Sequence, residues 1–259
     1  MESNGWMPDV RFGVAVQDGW GEFPEVLPSC PELWTVELPF NAWGLSASLP
    51  GDVCLRLGEA FVAPALSEGS GGGNGGGPGG AGAAGAEAAY RAAVAECGRM
   101  ARAAAEGKAG AKPMPSAFLL EFPAAVTHSA AARRHLDRVV KDLEGLPLAV
   151  AFHGADWYSA RVIEGLKARG AALCLLDGAR EPGSPPSIDV VTSSLVYIKL
   201  REGTNPSVWL TRIEALAAQA ETVRVIFSGP DGGKTVQKAA LMARLWQGRA
   251  KGDSLKGSD

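Results

Sequence analysis

The chain has 259 residues, 46% of them hydrophobic and 20% charged, and a formal net charge of −3. This balance excludes a collagen-like or wholly disordered chain and offers no general attraction to nucleic acid or to an anionic membrane. The 34 glycines exceed the usual share, but eleven of them lie between Gly69 and Gly85, so the excess belongs to one segment.

The first ten residues are polar and broken by Gly5 and Pro8, unlike a secretory leader. No later apolar run approaches the roughly 20 residues that span a bilayer. Cys30, Cys54, Cys97 and Cys174 are scattered without a CxxC pair, and three of them fall in apolar stretches that suit buried reduced thiols. A cytoplasmic protein is expected, with neither a membrane nor a nucleic acid as partner.

Short apolar runs rich in β-branched residues recur at residues 10–16, 33–38, 53–57, 117–122, 148–152, 171–176, 195–200 and 223–227. Several are apolar almost throughout, as strands covered on both faces are. Helical spacing follows the later ones. Tyr90, Val94, Cys97, Ala101 and Ala104 share one face. Ser129 caps a second helix with Leu136, Val139, Val140 and Leu143 inward. Val162, Ile163 and Leu166 mark a third, which stops near Gly170. Pro206 opens a fourth that buries Trp209, Ile213 and Leu216, and Val236, Ala239, Ala240, Ala243 and Trp246 line the last. The first quarter is weaker, because Pro24, Pro28 and Pro31 leave room only for a short helix between the first two strands.

Alternating strand and helix imply parallel pairing with right-handed crossovers. Eight such units in a chain of this length predict one α/β domain over residues 1–247, a closed (β/α)8 TIM barrel. The competing open doubly wound sheet would carry a glycine-rich dinucleotide fingerprint after its first strand, and none is there. Residues 67–86 read as a disordered Gly/Ala insertion after strand three, with a lid over the pocket as the other reading. Residues 248–259 read as a polar, frayed tail.

Placed on these strands, several motifs resemble the YecE-like family (domain of unknown function seventy-two), a group of TIM-barrel proteins. Leu120-Glu121-Phe122-Pro123 is similar to its Leu-Gln-Leu-Pro-Pro strand end. The run from Leu148 to His153, followed by Trp157, is similar to its Glu-Phe-Arg-His-x-x-Trp element. Thr192 with Tyr197-Ile198-Lys199-Leu200-Arg201 follows its Thr…Tyr-Val-Arg-Leu-His-Gly strand. Phe227 begins a segment similar to its Phe-Asn-Asn-Asp ending. Glu37 and Asn41 echo its Glu-Ile-Asn-Ser region, and Gly19-Trp20 its early Gly-Trp. The chain is a divergent member on this reading. Ala151 stands in place of a Glu, His153 of an Arg, Arg56 of a Lys, and Lys199-x-Arg201 of Arg-x-His. Ser228-Gly229-Pro230 replaces Asn-Asn-Asp, and Lys238 replaces a later Asn.

In a barrel, side chains at the C-terminal strand ends converge on one pocket. Glu37, His153 and Asp177 are the acid/base candidates there, and Arg56, Glu121, Lys199 and Arg201 are candidates for holding a ligand. Glu37 and Lys199 stand out, because each lies in an otherwise apolar strand, where a buried charge requires a partner. Trp20, Trp43 and Trp157 follow strand ends and could wall the pocket or pack in the core.

The run from Ser228 to Thr235 resembles a P-loop but has Ser228 at its first glycine position. A weaker phosphate-binding role remains for Gly232, Gly233 and Lys234 at a helix start. His128, His135 and His153 have no metal-ligand spacing, and His135 sits in an arginine-rich stretch expected to face solvent. Neither a metal nor a cofactor is expected. Two functions compete: binding of a small anionic or phosphate-bearing ligand at the C-terminal face, or a catalytically inactive relative kept for scaffolding or interaction.

Overall fold

The computed structural model describes residues 8–16, 30–42, 52–62, 83–107, 114–177 and 183–256. Trp20, Trp43 and the Gly/Ala segment up to residue 82 lie outside them. The eight expected strands all form: β1 Asp9–Ala15, β2 Thr35–Pro39, β3 Asp52–Leu57, β4 Ala117–Phe122, β5 Leu148–Phe152, β6 Ala172–Leu176, β7 Leu195–Arg201 and β8 Thr222–Ser228. They pair in parallel in chain order and close where β1 meets β8, from Asp9 opposite Thr222 to Val14 opposite Phe227. Five α-helices surround this sheet among the described residues: α1 Ala83–Ala105, α2 Ala130–Asp142, α3 Ala160–Ala168, α4 Pro206–Ala217 and α5 Gly232–Lys256. The chain is a (β/α)8 barrel.

Local chemistry sets the helix ends. The hydroxyls of Ser129 and Ser159 accept from the amides of Ala132 (3.0 Å) and Val162 (3.4 Å). The Asn205 side chain accepts from the Ser207 amide ahead of Pro206 (3.0 Å), so three helix starts have satisfied donors. After α3 the chain reverses at Gly170, whose φ of +66° favours glycine.

Strand parity divides the buried residues into two layers. Val14, Val36, Leu55, Phe118, Val150, Ile198 and Val225 face the helices, whereas Ala15, Cys54, Leu119, Ala151, Cys174, Tyr197 and Ile226 fill the barrel. Cys54, Cys97 and Cys174 are buried free thiols, and burial pushes the Cys54 thiol up to about 12. Gly13 belongs to the inward set. A Cβ there would fall 1.8 Å from the Thr35 carbonyl oxygen. Gly13→Ala is therefore expected to lower stability by about 2–3 kcal/mol, read as a reduced urea midpoint with an unchanged m-value.

Three expectations change in detail. Helix α1 begins at Ala83 and so absorbs the end of the Gly/Ala segment. Its buried seam is Ala86, Tyr90, Ala93, Cys97 and Met100, with Val94, Ala101 and Ala104 only half-buried at its margin. Tyr90 sets this rotation, because its hydroxyl donates to Asp142 (2.6 Å) and its ring meets Phe61 edge-on. His135 is buried rather than solvated. Its Nε2 donates to the Phe61 carbonyl oxygen (2.6 Å), and its ring packs on Tyr90. Finally, α5 runs through Gly248 to Lys256, since the flanking Gln247, Arg249, Ala250 and Lys251 are good helix formers.

Candidate functional site

The charged side chains of the barrel interior follow from parity. Val36 and Leu38 of β2 face the helices, so Glu37 between them points inward. Tyr197 and Lys199 point inward from β7, Arg56 from β3 and Glu121 from β4, and His153 follows β5 in the same phase. Alanines at positions 15, 149, 151 and 172 leave room for the longer side chains to cross the barrel.

Glu37 has no exposed side-chain surface. Its Oε2 accepts from the Tyr197 hydroxyl (2.8 Å), and its Oε1 from Lys199 Nζ (3.2 Å). Lys199 also donates to Glu121 Oε1 (3.0 Å), so one ammonium joins carboxylates from β2 and β4. Burial opposes the charge on Lys199, but Glu37 and Glu121 outweigh it and hold its pKa above the ordinary lysine range. Burial likewise pushes the Glu121 carboxyl up, yet the hydrogen bond from His153 (3.3 Å) and the Lys199 charge hold it at about 2. Tyr197 is raised well above the usual phenol range by burial, with the nearby anionic groups adding to it.

Arg56 completes the cluster on looser terms. Its Nη1 lies 3.6 Å from Glu37 Oε1 and its Nε 4.0 Å from Glu121 Oε2, within ion-pair but beyond hydrogen-bond distance. One nitrogen, Nη2, donates to the Val16 carbonyl oxygen (3.3 Å). The Arg56 side chain is 26% exposed and that of His153 is 43% exposed. Glu37 and Tyr197 thus form a closed floor, and Arg56 and His153 form its open edge.

The structure brings together Glu37, Arg56, Glu121, His153 and Lys199. The other candidates lie elsewhere. Asp177 comes one residue after the inward-facing Leu176 and takes the opposite side. Its carboxylate accepts from Trp209 Nε1 (3.2 Å) and from the Thr204 hydroxyl. Both groups, with Arg201, line a separate cleft of about 950 Å³ above the ends of β6 to β8. Trp157 has no exposed surface. It stacks on Phe152 (4.6 Å), and its Nε1 donates to the Val126 carbonyl oxygen (2.8 Å), so it serves the helix layer.

Gly232, Gly233 and Lys234 open α5, but the chain's own Asp231 carboxylate accepts from the Lys234 amide (3.0 Å), where an anion would sit. Lys234 itself is 72% exposed and pairs with the same carboxylate. Gly229 is similarly constrained. A Cβ there would lie 2.6 Å from Thr235 Oγ1 and 2.9 Å from Glu202 Oε2, so a larger residue would have to displace these side chains.

Sequence reasoning missed Tyr197. Its signal was parity with Lys199, two residues on. Among the described residues no set of three or more His, Cys, Asp or Glu side chains could hold a metal ion, and no helix is long and apolar enough to cross a membrane.

A closed parallel barrel with a charged cluster at the C-terminal strand ends defines a (β/α)8 protein whose candidate site lies where that fold usually carries one. The chain belongs to the family described as Protein of unknown function DUF72, whose model matches residues 88–257. This is the family that the strand-end motifs resembled. The fold is similar to that of a DUF72 family protein from Enterococcus faecalis V583, with 16% identity, a TM-score of 0.68, and coverage of 93% of this chain and 99% of that one. It is also similar to a DUF72 family protein from Thermotoga maritima MSB8, with 14% identity, a TM-score of 0.67, and coverage of 92% and 100%. No curated protein matches the chain.

Proposed function

We propose that the open edge of the barrel binds a small anionic ligand through Arg56, with His153 as the group that exchanges a proton with it. The observation that carries this reading is the Arg56 guanidinium. Of its five N–H donors, one nitrogen is hydrogen-bonded among the described residues, while both neighbouring carboxylates stay beyond hydrogen-bond reach. A carboxylate or phosphate group matches the remaining fork. Lys199 supports the anion through space but is already bound to two carboxylates. Glu37 is fully enclosed and engaged on both oxygens, so His153, backed by Glu121, is the better proton carrier.

The test is a thermal-shift and calorimetric panel of inorganic phosphate, sugar phosphates and small dicarboxylates. At least one is expected to stabilise the wild type, and Arg56→Ala is expected to weaken it about tenfold or more. The reading fails if no member of the panel stabilises the wild type more than the variant.

A further inference from the structure

A second charged feature lies outside the barrel, where α2 and α3 run side by side. The two helices and the α3 C-cap Arg169 carry seven cations against three acids, in a chain whose net charge is −3. A groove of about 500 Å³ between them is lined by Arg133, Arg134, Arg161 and Arg169, with Asp137 as its one acid. Asp137 is engaged by Arg169 (2.9 Å). Arg138, on the same helix, is held away by a fork of bonds to Glu87 on α1 (2.7 and 2.8 Å). The side chains of Arg133 and Arg161 make no hydrogen bond or ion pair among the described residues.

Their position is unusual for helices. The positive end of a helix dipole favours acids in the first turn, yet neither helix has an acid there. Instead α2 starts with Arg133 and Arg134 close behind its cap, and α3 starts with Arg161. Consecutive helices of such a barrel run in the same direction, so both positive ends and three arginines meet at one rim. Neutral serines already cap both helices, so the caps do not require these charges.

We propose that this groove docks an acidic peptide segment of a partner protein, with aliphatic side chains between its acids. Arg133 and Arg161 supply charge complementarity, and the floor, which includes Leu136 and Val162, supplies apolar contact. The size fits. A nine-residue helix spans about 13 Å, the length of roughly four extended residues. No aromatic side chain lines the groove to stack on bases, which favours a peptide over single-stranded nucleic acid.

The experiment follows the fluorescence anisotropy of a labelled octapeptide of alternating Glu and Leu, added to the full chain. The expected result is binding at about 50 mM salt that weakens at about 300 mM. Arg133→Glu/Arg161→Glu should weaken it about tenfold or more and keep the wild-type melting temperature, since acids in a first turn suit the dipole. Arg56→Ala should leave it unchanged, which separates this groove from the barrel site. No binding at the lower salt, a loss under about twofold in the double variant, or loss in Arg56→Ala overturns the proposal. Displacement of the peptide by a tighter-binding oligothymidylate overturns it as well.

Discussion

Lys199→Met is expected to destabilise the fold by about 3–5 kcal/mol at neutral pH, because it leaves buried carboxylates without their ammonium. Glu37 would keep the Tyr197 hydrogen bond and Arg56 at 3.6 Å, and Glu121 would keep His153. Arg56 also lies 4.0 Å from Glu121, but neither set replaces an ammonium hydrogen-bonded to both acids. The pH dependence carries the signature. The Glu121 carboxyl titrates near 4.5 in the unfolded chain and at about 2 in the folded one. Its stabilisation, about 3 kcal/mol, is therefore complete above about pH 4.5 and is lost as the pH falls through 2. With Lys199 gone, burial regains weight and the folded value rises. The gap between wild type and variant should therefore be wide at pH 7 and narrower at pH 3 in urea titrations. A gap of constant width would show that lost packing, not lost pairing, is responsible. Adding Glu37→Gln to the variant should restore part of the stability, because the enclosed anion is then gone.

The barrel was legible because its strands are apolar on both faces, and such runs survive without any knowledge of partners. The charged cluster was most legible where a charge interrupts an apolar run, as Glu37, Arg56, Glu121 and Lys199 do. Neither a strand-end position nor phase alone placed a side chain in the cluster, since Arg201 shares the phase of Tyr197 and Lys199 yet lines the cleft over β6 to β8. Asp177 and Lys199 both stand at strand ends, yet Asp177 is out of step with Cys174 and Leu176 and turns to Trp209. Tyr197 is in step with Lys199 and joins the site, although an aromatic residue in an apolar run looks like core.

Contacts distant in sequence were the least readable. His135 stands among arginines and looks solvated, but the Phe61 carbonyl lies 74 positions before it and fixes it inside. The helix start after β8 shows the same limit. Gly232 and Gly233 suggest an anion cradle, and one aspartate just before them fills it.

Arg224 is expected to match Lys199 in its effect on stability while leaving ligand binding alone. It points into the barrel from β8 at the N-terminal end, where its side chain is 5% exposed. Its Nε pairs with Asp52 (2.7 Å) and its Nη2 with Asp9 (3.1 Å), and Nη1 donates to the Asp9 carbonyl oxygen (3.2 Å). Arg11 reaches the same two acids, so the cluster ties β1, β3 and β8 across the point of closure. Arg224→Met leaves Asp52 buried with a weaker partner, Arg11 at 3.5 Å, and should lower stability by about 3–5 kcal/mol. Arg224→Lys should recover only part of this, because an ammonium cannot hold three acceptors with the geometry of a planar fork. Neither variant touches Arg56 or His153. Where the variants remain folded, their affinity for any anion found in the ligand panel should stay within about twofold of wild type. Equal losses of stability at the two ends of the barrel, with loss of binding at only one, would separate the groups that close the barrel from those that serve the site. A matching loss of affinity in Arg224→Met would mean that the two ends are coupled through the interior layer of Cys54, Tyr197 and Ile226 that lies between them.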